Sequence, residues 1–263
     1  MYKISIDEIV DYSKCPMYYF FKYKSGLPND SYDIIEKYEE DINKIIYYAF
    51  YKYQEGEIIR LEDLKQMWGR LWIKDKRKSN LIFSDSYINK DTYNTKRVKG
   101  LESLLNFRNF LIDSPSYPIL INQDYSIKID DIIVSGKFDV VREIDNAVGE
   151  KEIQVCLFRS ERDVPKLTQK YDLKLHCDTY AIENMINKNL DMSYLIYYFE
   201  KNKSIVRSDI SSNKEMFLHN IKTITKLIKE NVFYMSVNDN CQKCTFKNKC
   251  SSKSNVNKIL EFK

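Results

Sequence analysis

Three of the chain's six cysteines lie within ten residues, as Cys241, Cys244 and Cys250 in CQKCTFKNKC. Gaps of two and five residues let neighbouring thiolates converge on one centre without straining the turn between them. Three thiolates leave a tetrahedral metal or a cubane cluster one ligand short, so a fourth must come from elsewhere in the 263 residues. Cys15, at a helix-to-loop junction just before Pro16, is placed to present its side chain to such a site. Cys156 and Cys177 lie within apolar stretches, where a free cysteine behaves as a small buried hydrophobe. They, or a non-protein ligand, remain the alternatives. Ligation by Cys15 would close a loop of more than two hundred residues and oblige the first helix to meet the last segment.

No apolar run approaches the roughly 18 residues needed to span a bilayer. The opening MYKISIDEIVDYSK is too polar and acidic for a signal peptide. The expectation is an intracellular, cytoplasmic protein, or one of the host cytoplasm if viral, whose thiols stay reduced, so the cysteine cluster reads as a metal or cluster site rather than a disulfide framework. A net charge of +4 excludes little. Basic residues are bunched at Lys74, Lys76, Arg77 and Lys78, along Lys222, Lys226 and Lys229, and around the cysteines at Lys243, Lys247 and Lys249. Such bunches suit a phosphate backbone, and equally suit solvated helix faces. The wealth of Lys, Ile, Asn and Tyr points to an AT-rich genome, which weakens inference from lysine content alone.

Ser5-Ile-Asp-Glu8 has capping-box spacing and opens a helix that runs into CPMYYFFKY. EKYEEDINKIIYYAFYKY, LEDLKQMWGRLW and VKGLESLLNFRNFLID repeat apolar residues at helical spacing, so residues 1–113 read as a mostly helical lobe. The period then changes. PILINQDYSIKI, DIIVSGKFDVVREI and KEIQVCLFRS alternate or run apolar as strands do, with DNAVGEK as a turn. KLTQKYDLKLHCDTYAIENMI returns to helix, MSYLIYYFE is a strand, and KEMFLHNIKTITKLIKENVFYM is a last long helix before the cysteines. The pattern is one α/β domain over 1–263, with a core over 114–200 and a C-terminal helix and cysteine segment over 201–263.

CPMYYFFKY together with CQKCTFKNKC resembles the split iron-sulfur staple of RecB-like and AddB-like nucleases of the PD-(D/E)XK superfamily. GKFDVVREIDNAVGEKEIQVCLFRSER resembles that family's strand-turn-strand core, and LHCDTY its following helix with a Gln-x3-Tyr motif. The resemblance implies a restriction-endonuclease-like mixed central sheet flanked by helices. It further implies a structural 4Fe-4S cluster on Cys15, Cys241, Cys244 and Cys250, with zinc as the alternative, and DNA or RNA as partner within a larger replication, recombination or other nucleic-acid-processing complex. No membrane is involved.

Family members cut phosphodiesters with a divalent metal held by carboxylates, aided by a lysine. GKFD supplies the expected aspartate as Asp139. The acidic position and the lysine read instead as Leu157 and Arg159, Tyr47 stands where a His is expected, Gln123 where a Glu is, and His176 where the Gln before Tyr180 is. Asp124 matches the Glu after a one-residue slip. A lone carboxylate binds magnesium or manganese poorly. The reading is thus a nuclease fold without normal nuclease chemistry, a pseudoenzyme that binds nucleic acid or serves assembly. In it Arg159 is a phosphate contact and Asp139, Gln123, Asp124, Arg159, His176 and Tyr180 line the old cleft. The alternatives are an active exo- or endonuclease whose carboxylate has migrated to Glu152, Glu161 or Asp163, and a zinc-stapled module that binds only proteins.

Overall fold

A computed structural model describes residues 1–26, 34–78, 90–146, 148–160, 172–186, 191–207, 214–238, 241 and 244–250, with side chains undescribed at 34–36, 73–78, 90–93 and 207. Backbone contacts divide the chain into two interleaved units: Met1–Ser31, Ser126–Gly136 and Asn213–Lys263 form one, Tyr32–Tyr125 and Lys137–Ser212 the other.

In the first unit, strand β1 (Tyr2–Ser5) leads directly into helix α1 (Ile6–Lys14). The expected capping box forms in full: Glu8 N donates to Ser5 Oγ at 3.1 Å, and Ser5 N donates to the Glu8 carboxylate at 3.0 Å. Pro16 stops α1 and starts α2 (Pro16–Tyr19), since proline lacks the N–H an ongoing helix needs but fits a first turn. A π-helix, Phe20–Lys24, follows, closed by Ser25 N donating to Phe20 O at 2.9 Å. Strands β3 (Asp124–Ile129) and β4 (Ile132–Lys137) are linked by Asp130 and Asp131, and β1 adds parallel to β4 with Tyr2 opposite Ile132. Helix α7 (Lys214–Lys229) is shorter than its sequence suggests. Asn231 takes φ 55°, and Asn231 N and Val232 N donate back to Ile228 O and Leu227 O, a left-handed cap that ends the helix six residues before Met235. A short helix, α8 (Lys247–Cys250), carries the last cysteine.

In the second unit, α3 (Ile34–Gln54), α4 (Leu61–Lys78) and α5 (Lys90–Asp113) realise the three helical repeats. They pack on a five-stranded sheet of order β2-β5-β6-β7-β8, formed by Tyr117–Ile121, Val140–Asp145, Lys151–Arg159, Asp191–Tyr198 and Lys203–Arg207. All neighbouring pairs are antiparallel except β6–β7, which are parallel with Leu157 opposite Ile196. Parallel neighbours require a crossover, and helix α6 (Leu173–Met185) lies in it. Strand β6 is buried on both faces. Cys156 and Phe158 join Val140, Leu195 and Tyr197 in the core under the helices, around Phe50, Phe107, Trp68 and Trp72. Alternation turns the buried Ile153, Val155 and Leu157 to the other face.

Two stretches read as single strands are each broken in two. Asn122, at φ 51°, ends β2 before β3 begins, and Phe138-Asp139 separate β4 from β5. β1 and β8, both five residues or fewer, had no sequence signal.

Candidate functional site

The break between β4 and β5 places Asp139 at the end of the five-stranded sheet, half-buried. Backbone bonds from Asn122 N to Asp139 O at 2.8 Å and from Phe138 N to Gln123 O at 2.9 Å fix the position. Tyr47, on α3, donates its hydroxyl to Asp139 Oδ1 at 3.0 Å, and Phe158 N donates to Oδ2 at 3.1 Å. The tyrosine at the expected His position therefore does meet the aspartate. Burial, then the Asp139 carboxylate, pushes the Tyr47 hydroxyl far above its ordinary pKa, so it remains a donor at all working pH.

Sequence reasoning missed a second carboxylate. Asp178, on α6, is fully buried; Tyr125 donates to its Oδ1 at 2.6 Å and Lys174 to its Oδ2 at 2.9 Å. Lys174 also donates to Lys137 O at 2.7 Å. Burial raises the Asp178 pKa to about 6, Lys174 and Tyr125 working against the rise and Asp139 adding to it. Tyr47 feels both carboxylates. The signal was present in the sequence as a lysine and an aspartate at i and i+4, which share a helix face.

The other expected residues distribute differently. Gln123 and Asp124 are exposed, Asp124 lying 3.7 Å from Lys137. His176 and Tyr180 flank Asp178 at two residues on either side, spacings that turn side chains away from one another on a helix. Arg159 is half-buried and its guanidinium pairs with Asp172 at 2.5 Å, where Asp172 also caps α6 by accepting from Leu175 N at 3.1 Å. Burial pushes the Asp172 carboxyl up, but Arg159 and the capping N–H outweigh it and hold the pKa below its ordinary value. Leu157 is buried. Glu152 sits opposite Ile144 in β6, five residues and about 16 Å along the strand from Leu157. Glu161 and Asp163 lie outside the described residues, as do the side chains of Lys74, Lys76, Arg77 and Lys78 at the end of α4.

In the first unit the first helices and the segment after α7 do meet. Tyr12 donates to Val232 O at 2.6 Å, Met17 N to Tyr234 O at 3.1 Å, and Asn238 Nδ2 to Lys14 O at 3.1 Å. Cys15, Cys244 and Cys250 pack around one apolar floor of Met17, Phe21 and Phe246. Burial raises the thiol pKa values of Cys244 and Cys250, and the nearby Cys15 and Cys241 raise both further. Cys241 Sγ accepts from Asn238 N at 3.4 Å. Cys156 and Cys177 are fully buried in the second unit, as their apolar surroundings predict. The four thiols are neighbours without being closed into a ligand set: among the described residues no three His, Cys, Asp or Glu side chains are grouped as a metal ion would need.

No family model matches the chain, and no curated protein is similar to it by sequence. Among solved structures it is similar to a "putative exonuclease" from Eubacterium rectale, with a TM-score of 0.52 and 12% identity over 92% of this chain and 87% of that one. That likeness shows a shared mixed α/β fold. The solved structure of SSO0001 aligns at a TM-score of 0.34 and 14% identity, over 81% of this chain and 97% of that one, too low to extend the comparison. Among the described residues no helix is long and apolar enough to cross a membrane.

Proposed function

We propose that the chain is a nuclease-like protein of the PD-(D/E)XK superfamily, RecB/AddB-like in type, that binds nucleic acid within a larger processing complex without cutting it. The observation that carries this reading is the state of Asp139. Both its oxygens accept from protein donors, Tyr47 and Phe158 N–H, and the residue two before Arg159 is the buried Leu157. A catalytic magnesium needs several oxygen ligands in near-octahedral array. The nearby Asp178 already accepts from Tyr125 and Lys174, so among the described residues the carboxylates offer a hard dication a poor donor set and no hydrolytic step is assigned.

The cysteines offer donors of a different kind. Four thiols on adjoining segments of one unit, three of them against a common apolar floor, are the donors of a 4Fe-4S cluster or of zinc. Cys15, Cys241, Cys244 and Cys250 would hold the cluster, which would supply a covalent tie between the first helices and the C-terminal segment rather than chemistry on a substrate.

The test is incubation of the purified protein with single-stranded and duplex DNA in magnesium and in manganese. Intact DNA is expected, together with binding that EDTA leaves unchanged. Cleavage that is lost in Asp139→Ala would overturn the proposal and identify an active nuclease.

A further inference from the structure

We infer that the cysteine-bearing unit carries its own contact for single-stranded nucleic acid, built from lysines and tyrosines around the cysteines; the inference rests on the nucleic-acid-binding reading above and relocates where that binding occurs. The segments that bring the cysteines together, 12–26 and 231–250, contain Lys14, Lys22, Lys24, Lys243, Lys247 and Lys249 against a single acid, Asp239, in a chain whose overall balance is 42 basic to 38 acidic residues. The structure sets two of these cations, Lys22 and Lys249, against rings. Lys249 Nζ lies 5.9 Å from the Phe246 ring centre, Phe246 is 5.5 Å from Tyr18, and Lys22 Nζ sits 5.5 Å from Tyr18 and 5.3 Å from Tyr23.

Not every charge in this ladder is available. Lys22 is taken by Asp11 at 2.8 Å, and Tyr23 also donates to Asp11 at 2.9 Å. Lys14, Lys24 and Lys247 are exposed, and no carboxylate among the described residues pairs with them. By contrast Lys222 and Lys229, on α7 of the same unit, are matched to Asp130 and Asp131. Tyr23 is 37% exposed and Tyr234 54%, large rings left in water. Unpaired lysines beside exposed rings are what an unpaired strand needs: cations along its phosphates and flat faces under its bases, the latter inaccessible in a duplex. The site therefore prefers single strands, of DNA or RNA alike.

The experiment is fluorescence anisotropy of the full chain with labelled oligo-dT, oligo-rU and a duplex hairpin, across a salt series. Lys24→Ala/Lys247→Ala should lower the slope of log affinity against log salt by about 1.4, at about 0.7 per phosphate contact on single strands. Lys65→Ala/Lys128→Ala, exposed lysines elsewhere, should leave it unchanged. Tyr23→Ala should weaken oligo-dT and oligo-rU binding about 5- to 100-fold, whereas Tyr23→Phe, which keeps the ring but not the bond to Asp11, should bind as the parent does. Binding with an unaltered salt slope in the Lys24/Lys247 variant, equal affinity for the hairpin, or equal loss in Tyr23→Phe would overturn this site while leaving nucleic-acid binding intact. No binding of any oligonucleotide by the parent protein would overturn both.

Discussion

Asp178 gives the sharpest quantitative expectation. Its carboxyl is fully buried and its pKa is lifted from 3.8 to about 6 by that burial, which outweighs the lysine and tyrosine that donate to it. A folded-state pKa above the unfolded one means the native protein holds a proton that the unfolded chain has released. Its contribution is therefore fully present below about pH 4 and is lost as the pH rises through about 6. The rise corresponds to about 3 kcal/mol, at 1.36 kcal/mol per pKa unit. Asp178→Asn keeps an acceptor for Tyr125 and Lys174 but cannot ionise. Urea unfolding followed by circular dichroism between about pH 4 and 7.5 should show the parent losing about 3 kcal/mol more than Asp178→Asn, with the divergence confined to about pH 4–6.5. Parallel pH profiles, or a parent that gains stability relative to the variant as pH rises, would refute the reasoning and mean that Lys174 dominates the carboxylate after all.

Other outcomes follow from other parts of the molecule. Anaerobically purified protein should absorb broadly near about 400 nm with about four irons per chain; Cys15→Ser should lose that colour and Cys177→Ser, buried away in the other unit, should keep it. A colourless protein with one zinc would instead select the alternative metal. Gly100→Ala should destabilise by about 1–3 kcal/mol, although alanine in a helix is ordinarily worth about 1 kcal/mol over glycine. A Cβ there would come within 2.2 Å of the Trp68 indole, which is itself held by a 2.8 Å bond to Arg97 O. Asp172→Ala should cost about 1–2 kcal/mol in thermal or urea unfolding, since it removes the side-chain cap of α6 and that carboxylate's ion pair with Arg159.

Local signals in the sequence carried far. The capping box at Ser5 and Glu8, the helical repeats of α3 to α5 and the meeting of the first helices with the cysteine segment all rest on short-range chemistry or on ligand spacing. What the sequence hid depended on neighbours distant in the chain. β1 is four residues long and is a strand only because Ile132 to Ser135 lie alongside it. The end of α7 turned on a single asparagine whose left-handed conformation competes with a still-apolar run, VFYM. Asp178 was obscured because α6 buries residues on nearly every side, Leu175 through Thr179 in succession. With no solvent face to mark, periodicity could not separate a buried carboxylate from the packing around it. Arg159 was placed correctly in its strand, but its partner Asp172 belongs to a helix cap that strand register does not predict.

The interleaving of the two units has a consequence for how the protein is made. A ribosome extends a chain at roughly 5–20 residues per second, so the helices and sheet of Tyr32–Ser212 emerge well before the stretch that bears Cys241. β1 and α1 are made before the second unit, yet their hydrogen-bonded partners in β4 and after α7 follow roughly six to fifty seconds later. During that interval Cys15 and the aromatic run beside it are nascent chain without their neighbours. Cys15 and Cys241 can therefore come together only after the second unit already has every residue it needs.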